Sequence, residues 1–122
     1  MIFKDNKSIY LQIADRICNE ILQSVYQEEE RIPSIREYAV MVEVNVNTVV
    51  HTFDYLQRQD IIYNKRGLGY FVKSGAKEHI LELRKELFLQ EELPAFFYQV
   101  KLLNISMDDI KERYDEYLSH KL

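Results

Sequence analysis

Asn47, Thr48 and His51 fall on one side of a segment with helical periodicity. An amide and a hydroxyl can bond base edges or phosphate oxygens, and an imidazole can reach either. A merely solvated helix face would more often carry Lys, Glu and Gln. Upstream, Arg36 supplies a cation near the start of another helical segment. Downstream, Lys65 and Arg66 adjoin Gly67 and Gly69. Glycines there permit a tight turn and let the backbone come close to a ligand. These residue types suit recognition of a polyanion by hydrogen bonds and charge.

Bond-making chemistry finds little support. The three histidines, His51, His79 and His120, lie near no cysteine or carboxylate in metal-ligand spacing. Three glycines are too few for a phosphate-cradling loop, and no serine sits in a nucleophile elbow. Asp108-Asp109 opens a helix, where negative charge favours the dipole. The expectation is no catalytic residue, no metal, no cofactor and no enzyme.

Several elements must position the polar stripe. Ser8 precedes an apolar series, Ile9, Ile13, Ile17 and Ile21, with Tyr10, Ala14 and Cys18 beside it. Spacing of four predicts an amphipathic helix ending near Ser24. Glu28-Glu29-Glu30 reads as a solvated loop. Ser34 with Glu37 fits a capping box, and Ile35, Tyr38, Ala39 and Val42 form a stripe to bury. Glu43-Val44-Asn45 makes the turn, and Asn45 suits the next N-cap. In that next helix Val46, Val49, Phe53 and Leu56 share one side, and Asn47, Thr48, His51 and Tyr55 share the other. Val50 lies between them. Ile61-Ile62-Tyr63 and Tyr70-Phe71-Val72 read as strands of a hairpin with Lys65 and Arg66 at its tip. Helix, turn, helix and a basic loop are the parts of a winged helix-turn-helix.

The totals constrain this reading. The chain has 122 residues, 30% charged and 47% apolar, enough for one compact domain or a small domain with an appendage. No apolar run approaches the ~20 residues of a membrane span. The N-terminus MIFKDNKS lacks the apolar core of a signal peptide, and Cys18 is the single cysteine. Both point to the cytoplasm and away from membranes. Net charge of −4 counts against nucleic acid, but it is unevenly spread. Residues 31–73 hold six basic side chains (Arg31, Arg36, Arg58, Lys65, Arg66, Lys73) against four acidic ones (Glu37, Glu43, Asp54, Asp60). Local placement sets phosphate contacts, while overall charge tunes steering.

Four blocks, SIYLQIADRICNEIL, RIPSIREYA, VNVNTVVHTFDYL and KRGLGYFV, occur in the order and spacing of the GntR family of bacterial transcription regulators. The resemblance covers about residues 8–73, and the short helical tail resembles the YtrA subfamily. It implies an α+β, mostly helical fold: a winged helix-turn-helix followed by a C-terminal helical dimerisation region. It places DNA contacts on Arg36, on Asn45, Asn47 and Thr48, and on the wing residues Arg66, Gly67 and Gly69. The residues themselves add His51 and Lys65. The sequence departs from the family pattern in three places. Glycine is usual near Ser24, Pro-Gly is usual at Glu28-Glu29, and proline is usual at Val46.

The expected organisation is a DNA-binding domain at 1–74, then SGAK as a linker into a dimerisation tail at 75–122. In the tail Ile80, Leu83, Leu87, Phe88, Phe96, Phe97, Val100 and Leu103 would form the dimer contact. Pro94 starts a helix or kinks one, and Ser106 with Asp109 fits a second capping box. Two or three short helices cannot bury so many large apolar groups alone. A symmetric dimer is the commonest solution, and it sets two recognition helices ~34 Å apart on double-stranded DNA. The function expected is a transcription regulator, a repressor acting as a homodimer on a palindromic operator. The alternative is a winged helix that binds protein and no DNA. A small-molecule effector would have to use the tail or the interface, where Tyr98, Tyr114 and Tyr117 could line a pocket.

Overall fold

Apolar residues recurring every three or four positions bury one face of each of the first three helices. The computed structural model describes residues 7–120. They divide into two compact units, with the boundary between Glu82 and Leu83.

In the first unit, α1 (Ile9–Leu22) buries Ile13, Ala14, Ile17, Cys18 and Ile21, while Ile9 stays exposed. Ser24, just beyond it, has φ +62°. A serine there takes the left-handed conformation that the family's glycine would adopt without strain. Glu29 does the same at φ +67°, so the expected Pro-Gly turn is made by ordinary residues. Helix α2 (Ile35–Val42) opens on a full capping box: Ser34 Oγ accepts from Glu37 N at 3.1 Å, and Glu37 Oε1 accepts from Ser34 N at 2.8 Å. Glu43 ends it at φ +56°. Asn45 then caps α3 (Val46–Arg58) by accepting from Asn47 N at 2.7 Å.

The burial of α3 departs from the even division of its wheel. Thr52 is fully buried and Val46 is exposed. The Thr52 hydroxyl donates to Tyr10 O at 2.9 Å and lies 3.1 Å from Thr48 O, so a polar side chain enters the core with its bonds made. Strands β1 (Ile62–Lys65) and β2 (Gly69–Val72) pair antiparallel with Tyr63 opposite Phe71. Residues 29–32 add an edge to β2: Ile32 N donates to Tyr70 O at 2.9 Å and Val72 N donates to Glu30 O at 3.0 Å. Tyr38, Phe53, Leu56, Ile62 and Val72 meet in the centre, with the Phe53 ring edge-on to Tyr70 at 4.9 Å. The result is a mostly helical α+β winged helix.

Two expectations change at the end of this unit. The stretch 74–77 is not a loose linker. Glu28 accepts from Gly75 N at 2.9 Å and from Lys77 N at 3.4 Å, so its carboxylate caps α4 (Ala76–Leu87). Nor are the three glutamates merely solvated: Glu29 accepts from the Tyr63 hydroxyl at 2.7 Å, and Glu30 accepts from Gln27 N at 2.6 Å. Ala76 and Ile80 pack into the winged-helix core. Ile80 is therefore covered by its own chain rather than offered to a second copy, and the compact unit runs past residue 74 to Glu82.

In the second unit a π turn (Phe88–Glu92) precedes α5 (Leu93–Leu102), with Pro94 in the first turn of α5. Proline lacks the N–H that an α-helical turn would bond to Gln90. The backbone widens just before it. Asn104 turns at φ +57°, and α6 (Met107–His120) follows. Ser106 Oγ accepts from Asp109 N at 3.1 Å, whereas the Asp109 carboxylate bonds Arg113 Nε at 3.1 Å. Only the hydroxyl half of the expected capping box is therefore used here. Val100 is the one buried side chain among the described residues of this unit.

Candidate nucleic-acid interface

The first two turns of α3 present the polar stripe. Asn47 and His51 are exposed and Thr48 is half-buried. Asn45 spends its side-chain oxygen on the cap, so its first task is to start the helix. The Asn47 side chain makes no hydrogen bond among the described residues, which leaves both amide groups available. His51 is stacked on Tyr10 of α1, ring centroids 3.6 Å apart and planes within 13°. Ile9, Tyr10, Asn47, Thr48 and His51 line one shallow depression. Sequence reasoning assigned Tyr10 to the apolar series of α1. Its role beside the stripe depends on a contact across forty-one residues, which no local pattern reveals.

The wing has its own bracing. Gly67 (φ +80°) and Gly69 (φ +113°) turn the hairpin. The φ of Gly69 favours glycine, and a Cβ there would stand 2.9 Å from Arg31 Nε, displacing that flexible side chain. That same Nε donates to Leu68 O at 3.1 Å. The Arg31 guanidinium also lies 3.8 Å from Glu37. Arg31 thus links the wing to the first turn of α2, a role that the sequence reading missed. Lys65 places its ammonium 4.5 Å from the Phe71 ring centroid and 5.9 Å from that of Tyr63. Its stem lies along the hairpin, and the cation is held over the rings.

Pairing sorts the six basic residues of 31–73. Arg31 faces Glu37, Arg58 pairs with Asp54, and Lys73 pairs with Asp60 at 2.9 Å. The hydrogen bond and charge of Lys73 hold the Asp60 carboxyl below its usual range. Glu37 is also lowered, first by the Ser34 backbone N–H and then by the Ser34 hydroxyl. Arg36, Lys65 and Arg66 have no acidic partner among the described residues, and all three are exposed. The cations left for a polyanion are therefore those flanking α3, one on α2 and two at the wing. Within α1 and α2, the Tyr38 hydroxyl donates to Glu20 at 2.9 Å, and burial above all keeps that phenol protonated.

Residues 9–72 match the family model described as bacterial regulatory proteins, gntR family. The chain belongs to the GntR family. An uncharacterised HTH-type transcriptional regulator of Bacillus subtilis, YhcF, is 33% identical over 90% of this chain and 89% of its own. The HTH-type transcriptional repressor YtrA of the same organism is 26% identical over 89% and 83%. Both alignments run through the tail, and the chain falls with the YtrA-like members. A crystal structure of a GntR-family regulator from Bacteroides thetaiotaomicron has 55% identity and a TM-score of 0.83, covering 94% of this chain and all of that one. The N-terminal domain of AraR, solved in complex with mutant ORR3, has 25% identity and a TM-score of 0.51, covering 57% of this chain and 99% of that one. This GntR member is a DNA-binding transcriptional regulator and not an enzyme. Among the described residues no helix is long and apolar enough to cross a membrane, and no cluster of His, Cys, Asp or Glu could hold a metal.

Proposed function

We propose that this GntR regulator represses transcription by binding a palindromic operator as a homodimer in the cytoplasm, with Asn47, Thr48 and His51 of each subunit in a major groove. The observation that carries the reading is the sorting of charge. Three of six cations are neutralised within the fold, and the three that are not stand on either side of α3 in sequence. Arg36 would bond phosphate or a guanine edge, while Lys65, Arg66 and the backbone at Gly67 and Gly69 would meet the flanking backbone. Asn45 would act by fixing the first turn of α3. The likeness to a repressor, YtrA, supports the direction of control.

The tail supports the homodimer. Leu83, Leu87, Phe88, Phe96, Phe97 and Leu103 are all exposed in the single chain, and from Leu83 onward Val100 is the one buried side chain among the described residues. A forty-residue segment so poorly covered gains stability by meeting a second copy. Residues 75–82 would then belong with the winged-helix unit, and the dimerisation tail would begin at Leu83.

Selection of bound sequences from random duplexes tests the reading, followed by mass photometry of the complex. The expected result is a palindrome with half-site centres one turn or a small multiple of it apart, bound by two chains. No enriched sequence at moderate salt would overturn it in favour of a protein-binding winged helix.

A further inference from the structure

Val46 and Val50 are 37% and 44% exposed, four residues apart on the outer side of α3. Neither serves the core, which α3 meets through Val49, Phe53 and Leu56. Valine keeps one strongly preferred χ1 in a helix, so these methyl groups are held in place before any ligand arrives. The major groove offers one apolar feature, the C5-methyl of thymine. Between the two valines in sequence lies Asn47, whose amide matches the N6 and N7 edge of adenine. Adenine pairs with thymine, and both features lie on the same groove edge. N-terminal residues of a recognition helix are those that meet base edges.

We propose that Val46 and Val50 read thymine methyl groups beside the base that Asn47 addresses, giving each half-site an A·T-rich centre. The inference rests on the operator reading above. It makes the two valines specificity determinants, with discrimination coming from buried methyl surface rather than from hydrogen bonds.

The test uses the full chain and the selected operator. Thymines are replaced one at a time by uracil, which removes only the methyl group, and affinity is measured by fluorescence anisotropy. At least one replacement per half-site is expected to weaken binding about fourfold, the worth of one buried methyl. In Val46→Ala or Val50→Ala the thymine-to-uracil ratio at that position should fall to near one. Both positions are exposed, and a thermal melt checks that each variant is folded. A half-site without thymine overturns the inference, as does a wild-type ratio near one throughout, or a ratio that survives in both variants. In those cases the operator reading stands. No enriched duplex at all overturns both.

Discussion

Tyr38, Phe53, Leu56 and Ile62 are each at most 1% exposed, whereas Leu87, Phe88, Phe96, Phe97 and Leu103 are 41% to 62% exposed. Both regions carry apolar residues at helical spacing. The winged-helix unit closes its stripes because three helices, a hairpin and the root of α4 converge on one centre. The tail has helices but no third layer to receive them. Periodicity therefore reports that a face exists, and the number of elements that can meet decides whether the chain covers it alone.

The contrast can be broken by matched substitutions. Phe53→Ala should destabilise the protein by about 3–5 kcal/mol through lost burial and a cavity, read as a lower melting temperature. Phe97→Glu should leave the winged-helix fold intact but weaken dimerisation by roughly 2 kcal/mol, read by sedimentation across concentration. An unchanged sedimentation profile would remove this stripe from the interface. Arg36→Ala should reduce the salt dependence of operator binding by about one unit of slope without moving the melt. Lys65→Ala should lower the slope similarly and also cost about 0.5–1 kcal/mol of fold stability, because its ammonium lies over Phe71.

Two smaller effects sharpen the account of the first unit. Glu43→Gly should stabilise it by about 0.5–1 kcal/mol, since the C-cap of α2 is left-handed. Calorimetry at neutral pH would show it. Glu37 has its carboxyl held below its ordinary 4.5 by the Ser34 cap. A lowered folded-state value means that the carboxylate stabilises the fold above pH 4.5 and loses that contribution as pH falls through the folded value. Wild type should therefore exceed Glu37→Gln in stability near neutrality, and the gap should close on acidification. A gap that persists at low pH would mean that the cap does not depend on the charge.

What the sequence made legible was local. The Ser34–Glu37 box, the Asn45 cap, the hairpin and the outward Asn47 and His51 follow from spacings of two to four residues. What it hid was long-range or conformational. Thr52 is buried because its hydroxyl reaches Tyr10 O, forty-two positions away. Arg31 braces a wing thirty-seven positions downstream. Glu28 caps α4 across forty-seven. Ser24 and Glu29 hold left-handed turns that their side chains do not advertise. Ile80 has the spacing of a tail residue, yet the root of α4 lies against the core.

The plating of His51 on Tyr10 has a practical consequence for re-engineering. Moving α3 alone into a relative would strand its imidazole without the platform that orients it, and Thr52 would lose the carbonyl that admits it to the interior. A transplanted specificity should therefore travel as a two-helix cassette, α1 together with α3.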